Sequence, residues 1–161
     1  GQGSIQDCQK ITQSYYGKIT YTGFLPRETV TQFYKTADIG ISPSVYDHCP
    51  YSVLEMIANR IPLIMTRING LDELLSDEEC VFINPVISSE GDITFSIEEM
   101  SESILALASD KELRNSLAAK SYRTFLRRFT AEGMAEGMYN LFQSLIKHNK
   151  PVVEYETGQG R

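Results

Sequence analysis

Asp47 stands just before a proline-led segment, and Glu55 lies inside it, in the stretch SVYDHCPYSVLEMI at residues 44–57. Pro50 suits the first position of a helix, where its missing N–H costs nothing. A helix starting there leaves the N–H groups of Tyr51, Ser52 and Val53 without partners inside it. Together with the positive end of the helix dipole, such groups suit a phosphate. Capping by Ser, Asp or water uses the same groups, and for a lone helix start it is the commoner outcome. Further along, Val53, Leu54, Ile57, Ala58 and Ile61 form an apolar stripe, while Ser52, Glu55 and Asn59 fall on the other side. Glu55 therefore need not be a buried charge, and its face can point along a cleft. By spacing alone, a solvated surface glutamate is an equal reading.

The elements that must position these acids follow from the hydrophobic pattern. ITYTGF at 19–24, IGISP at 39–43, PLIMT at 62–66 and CVFINP at 80–85 read as strands, being short, apolar and rich in β-branched residues. PRETVTQFYKTA at 26–37 carries Val30, Phe33, Tyr34 and Ala37 at helical spacing, and PYSVLEMIANR at 50–60 is a second helix. NGLDELL at 69–75 reads as a turn and short helix. Strand and helix alternating in this way predict an α/β fold: a Rossmann-like parallel sheet with helices on both faces. The polar stretch at 86–95 (VISSEGDITF) reads as a surface loop. After it the alternation stops and helices are predicted over 96–109, 110–127 and 130–148, with Asp110 as an N-cap. Their apolar residues, Leu105, Leu113, Leu117, Tyr122, Phe125, Leu126, Phe129, Tyr139, Phe142 and Leu145, have core spacing. The expected division is one domain over 1–148 and a flexible tail over 149–161.

Composition narrows the function classes. A chain of 161 residues with net charge −6 has no excess of Lys and Arg to neutralise a nucleic-acid backbone. A small anionic ligand held by local N–H groups remains compatible. Cys8, Cys49 and Cys80 form no CxxC pair, and His48 and His148 lie far apart, so the sequence offers no metal-site pattern. No apolar run approaches a membrane span and no signal peptide opens the chain, so a cytoplasmic protein is expected.

The segments YTGFLPRETVTQFYKTADIGISPS and ISPSVYDHCPYSVLEMIANRIPLIMTRINGLDELL, with their D-x7-E spacing, resemble the E-x7-E region of retaining GT-B glycosyltransferases of family 4. That pattern runs from a strand ending in PS, through an acid, a short loop and a helix bearing the second acid, to G-x-P-V-I and G-x-x-E. The resemblance spans about residues 1–148, the C-terminal nucleotide-sugar domain of the GT-B fold, N-terminally truncated and ending in a run of helices.

The resemblance implies a sugar transfer from a nucleotide-diphosphate sugar to an acceptor hydroxyl with retention, as in polysaccharide or glycoconjugate synthesis. Asp47 would be the catalytic residue, meeting the donor sugar hydroxyls, and Glu55 would grip the ribose, since a carboxylate accepts two hydroxyl hydrogen bonds at once. His48, Cys49, Pro50, Tyr51 and Ser52 would hold the diphosphate. Gly23 and Phe24 would border the base, and Thr66 and Gly70 would face the same crevice. Glu73 matches the G-x-x-E glutamate. No cofactor and no metal would be required. The implied partners are the nucleotide-sugar donor and a missing N-terminal GT-B domain that binds the acceptor, without which the chain would be inactive. The full-length protein would be cytoplasmic or peripheral to a membrane.

Three departures stand out. Asp47 is one methylene shorter than the usual Glu. Asn59-Arg60-Ile61-Pro62 replaces small-Gly-x-Pro. The Arg…Lys pair that clamps phosphates in the family would lie upstream of GQGS, and Arg27 and Arg67, the nearest basic residues to the expected crevice, match no part of that motif. With its other lobe absent, the last helix is expected to expose apolar surface and to favour self-association. Two other readings stay open on sequence alone: a non-catalytic module that binds a nucleotide sugar or a partner, and a flavodoxin-like regulatory domain in which the acids are coincidental.

Overall fold

Three short apolar runs pair in the order of the chain. Strand β1 (Gly40–Ser42) lies parallel to β2 (Leu63–Thr66), and β2 lies parallel to β3 (Val81–Ile83). The registers Gly40↔Leu63 and Ile64↔Val81 bring the carboxyl ends of the three strands to one edge. The computed structural model describes residues 10–11, 13–14, 18–47, 49–68 and 70–148. The chain divides into two units, Gly1–Ala37 and Asp38–Arg161.

In the first unit, helix α1 (Arg27–Tyr34) follows Pro26, whose carbonyl accepts from the N–H groups of Thr29 at 3.0 Å and Val30 at 3.1 Å. The strand expected over 19–24 does not form. Ile19, Tyr21 and Phe24 are exposed, and no strand among the described residues pairs with them. β-Branched and aromatic residues favour a strand only where a pleated neighbour is available to pack on. Gly23, at φ +65°, also breaks the extended run.

In the second unit, β2 is buried along its whole length, and its side chains alternate between two cores. Leu63 and Met65 pack with Val53 and Ile57 of helix α2 (Tyr51–Ala58), with Leu71, Leu74 and Leu75, and with Phe82. Ile64 packs on the other side with Ile83, with Met100 and Leu107 of helix α3 (Ile97–Ser109), and with Leu117 of helix α4 (Lys111–Arg128). Covering both faces in this way explains why the strands are almost wholly apolar. Within the segment expected as a turn and short helix, residues 70–74 make turns but no helix, and Leu71, Leu74 and Leu75 are buried and supply core.

The stretch expected as a loop over 86–95 is largely a hairpin. Strands β4 (Pro85–Ile87) and β5 (Ile93–Phe95) pair antiparallel, with Ile87 opposite Ile93. The Ser and Gly residues that suggested a loop do form its tip. Ser88 Oγ accepts from the N–H groups of Glu90 and Asp92, and Gly91 adopts φ +88°. What the composition concealed is the ladder that the two flanking apolar triplets make with each other.

Ser96 and Asp110 cap α3 and α4 by accepting from Glu99 N–H at 3.1 Å and Leu113 N–H at 2.8 Å. Of the apolar residues expected as core in the terminal helices, Leu117 is buried and Tyr122, Phe125 and Phe129 are half-buried. Leu105, Leu113 and Leu126 are exposed, as are Tyr139, Phe142 and Leu145 of helix α5 (Ala131–His148). Helical spacing marks an apolar stripe but not whether an element covers it. Met134, Leu141 and Ile146 extend the exposed surface of α5, matching the expectation that the last helix presents apolar residues. Among the described residues no helix is long and apolar enough to cross a membrane.

Two side chains fasten loops to α4. Arg60, in the turn between α2 and β2, takes the left-handed conformation at φ +58° and lays its guanidinium 4.3 Å from the Tyr122 ring centroid. Glu79 accepts from the Thr124 hydroxyl and, at 2.8 and 3.0 Å, from the N–H and hydroxyl of Ser76. Burial alone would raise the Glu79 pKa, but these hydrogen bonds and the nearby Arg127 outweigh it, holding the carboxyl below its ordinary value of 4.5.

Arg60→Ala is expected to lose the Tyr122 contact while keeping the backbone strain, at a cost of about 0.5–1 kcal/mol in denaturant unfolding. Arg60→Gly relieves the strain as it loses the contact and should stay within about 0.5 kcal/mol of wild type. For Glu79, a depressed folded-state pKa means that its stabilising contribution is complete above the unfolded-state value and fades as pH falls through the folded one. Unfolding profiles of Glu79→Gln should therefore lose less stability than wild type between about pH 5 and pH 3.

Candidate functional site

The carboxyl ends of β1, β2 and β3 each run into a loop, and these loops enclose a cleft of about 350 Å³. Val45, Tyr46 and Asp47 enter it from the loop after β1, Arg67 and Ile68 from the end of β2, and Pro85 from the chain beyond β3. The hairpin adds Ile87 and Ile93, the directly opposed cross-strand pair. This is the edge at which open parallel sheets present ligand sites, since each strand delivers a loop to the same side.

Several bonds set the shape of the wall. Thr66 is fully buried, and its hydroxyl donates to the Ser44 carbonyl, tying the loop after β1 to the end of β2. Arg67 N–H donates to the Ile83 carbonyl at 2.8 Å and extends the pairing of β2 with β3 by one residue. The Arg67 guanidinium lies 4.2 Å from the Phe82 ring centroid and pairs with Asp77. Cleft residues and sheet register are thus coupled: side chains just past the strand ends are placed by the ladder before them.

Of the residues expected from sequence, Asp47 lines the cleft and is half-buried there. Cys49 and the half-buried Pro50 follow it into α2, and Cys49 is exposed. Pro50 is the cap residue of α2, one position earlier than expected, and its carbonyl accepts from Val53 N–H at 3.0 Å. Val53 N–H is therefore already used, which leaves Tyr51 and Ser52 with amides that lack partners inside the helix. Both residues are exposed, and no side chain caps this helix. Glu55 is half-buried on α2, where its backbone carbonyl accepts from Asn59 Nδ2 at 2.8 Å; it does not line the cleft. Thr66 touches the site only through Ser44, and Gly70, at φ +96°, turns the chain beyond it. Gly23 and Phe24 belong to the first unit, and Phe24 is fully exposed. His48 lies outside the described residues.

Sequence reasoning left out the hairpin wall. Pro85, Ile87 and Ile93 carried a detectable signal in the two apolar triplets flanking a Ser-Gly tip. Arg67 was visible as a basic residue near the crevice, but its placement against Phe82 and Asp77 is a product of the fold. Cys80, in the core, has its thiol pKa pushed up to about 12 by burial, with the acids Asp77 and Glu79 adding to the effect. That leaves Cys49 as the exposed thiol among the described residues.

A sequence profile of the family described as "Glycosyl transferases group 1" matches residues 8–124. The chain is 25% identical over 138 residues to a Bacillus subtilis (strain 168) protein, TuaC, provisionally named a teichuronic acid biosynthesis glycosyltransferase; the match covers 86% of this chain and 33% of that protein. It is 21% identical over 128 residues to the alpha-D-kanosaminyltransferase of Streptomyces kanamyceticus, covering 80% of this chain and 31% of the relative. The chain thus spans about a third of the length of these relatives. Among solved structures, it superposes on a sucrose-phosphate synthase from Thermosynechococcus elongatus with a TM-score of 0.70 at 19% identity, covering 89% of this chain and 35% of that one. It also superposes on the C-terminal domain of a group 1 family glycosyl transferase (LpcC) from Francisella tularensis with a TM-score of 0.63 at 22% identity, covering 78% and 62% of the two chains. At these identities the likeness concerns the fold, which is that of GT-B glycosyltransferases.

Because Thr66 ties two cleft loops together, Thr66→Val is expected to cost about 1–2 kcal/mol in denaturant unfolding. It should also speed amide hydrogen exchange over residues 44–47. Thr66→Ser keeps the hydroxyl and should leave those exchange rates close to wild type.

Proposed function

The chain belongs to the group 1 glycosyl transferases, and on that premise we propose that it is the part of a retaining glycosyltransferase that binds the nucleotide-sugar donor. The observation that carries this reading is the cleft at the carboxyl edge of the parallel sheet, with Asp47 in its wall. A hexosyl unit on a nucleoside diphosphate would place its hydroxyls against Asp47, which accepts more than one hydrogen bond. Glu55 would accept from the ribose. The amides of Tyr51 and Ser52, with Cys49 and Pro50 before them, would meet the diphosphate at the positive end of α2. Gly70 would close the turn beyond the crevice.

The reaction in this reading breaks the bond from the anomeric carbon to the diphosphate. It forms a bond from that carbon to an acceptor oxygen on the same face, and the acceptor hydroxyl gives its proton to the departing diphosphate. Stabilising charge on the departing diphosphate is the main electrostatic task, and no resident metal is needed for it. The acceptor would be held by a second lobe; the relatives are about three times as long as this chain. Such an enzyme would act in the cytoplasm or peripheral to a membrane, and the exposed side of α5 would be covered by that lobe or by another copy of the chain.

Calorimetric titration with UDP-glucose and GDP-mannose tests the reading. One donor should bind. Glu55→Ala should weaken the corresponding nucleoside diphosphate about tenfold, the scale of a lost hydrogen bond to a charged group. Asp47→Asn should weaken the sugar nucleotide while leaving the plain nucleoside diphosphate unchanged. Unaltered nucleotide affinity in Glu55→Ala would remove the ribose role, and failure of every sugar nucleotide to bind would remove the donor-site reading itself.

A further inference from the structure

We propose that Arg67 is the cation that receives the donor's diphosphate in the cleft, an inference that rests on the donor-site reading above. Charge balance is the first reason. A nucleoside diphosphate sugar brings negative charge into a cleft that already holds Asp47, on a chain of net charge −6. The net charge of the chain does not favour its entry, which leaves the α2 amides and a local cation to receive it. Arg67 is the one basic residue among the described residues that line the cleft.

Placement is the second reason. Arg67 is the first residue beyond β2, and its backbone is held by the bond to Ile83. Its guanidinium lies over the Phe82 ring, and Nη2 is engaged by Asp77. A guanidinium has five N–H groups, so stacking on the ring and one bond to Asp77 leave others to meet phosphate oxygens in a fork. The Asp77 side chain is 75% exposed against 36% for Arg67. Asp77 therefore acts as a solvent-side tether that an incoming phosphate can outcompete, since exposed ion pairs contribute little. The other basic cluster, on α4, faces acids instead: Lys120 pairs with Glu78, and Arg127 lies beside Glu79.

The alternative is a purely structural Arg67, whose loss would lower stability without touching phosphate recognition. Comparing a nucleotide with its nucleoside separates the two. UDP, GDP, uridine and guanosine are titrated against wild type, Arg67→Gln, Arg67→Lys and Asp77→Asn. For whichever nucleotide binds, Arg67→Gln should weaken the diphosphate about tenfold or more and leave the nucleoside unchanged. Its diphosphate affinity should also fall less steeply with added salt than that of wild type. Arg67→Lys should recover part of the loss, and Asp77→Asn should strengthen diphosphate binding by freeing the guanidinium. Diphosphate affinity that is unchanged in Arg67→Gln, or lost in equal measure with the nucleoside, overturns the proposal while the donor-site reading stands. If wild type binds neither diphosphate, the donor-site reading falls and the Arg67 role falls with it.

Discussion

The parallel pairing of Leu63–Thr66 on both of its edges is the constraint from which the second unit follows. A strand bonded on two sides and buried on two faces has no surface left for water. Each of its side chains must therefore be apolar or internally satisfied. Leu63, Met65 and Ile64 meet the first condition by supplying the two cores. Thr66 meets the second by giving its hydroxyl to the Ser44 carbonyl. The same strand thus specifies the packing of α2 on one face and of α3 and α4 on the other.

The cleft is a consequence of that register. With three strands aligned in parallel, their carboxyl ends fall side by side, and whatever follows each strand shares one edge. Asp47 and Arg67 meet there although they are far apart in the chain and belong to different loops. Their neighbours in the wall are mostly carbon surface, from Val45, Ile68, Pro85, Ile87 and Ile93. An acid and a guanidinium set against such a wall are less screened than they would be on an open surface, so each matters more to what enters.

The terminal helices show the opposite balance. α3 and α4 bury Met100, Leu107 and Leu117 against the sheet, while α5 leaves Tyr139, Leu141, Phe142, Leu145 and Ile146 exposed. A helix of 18 residues bearing that much apolar surface is specified by its periodicity and by Thr130, whose hydroxyl accepts from Gly133 N–H at 3.1 Å, rather than by coverage within this chain.

The sequence by itself determined the α/β alternation, the parallel strands within 39–43, 62–66 and 80–85, the cap at Asp110 and the position of Asp47 at a strand-to-helix turn. All of these depend on residues close together in the chain, where period, propensity and turn chemistry act directly. Only the tertiary structure decided that residues 19–24 form no strand, that 85–95 folds back as a hairpin, and that Arg67 lies over Phe82 within the Asp47 cleft. It also decided that Leu105 and Leu126 stay exposed despite core-like spacing. Each of these turns on whether a second element arrives to pair with or cover the first. That is a matter of contacts between distant residues, which local pattern does not encode.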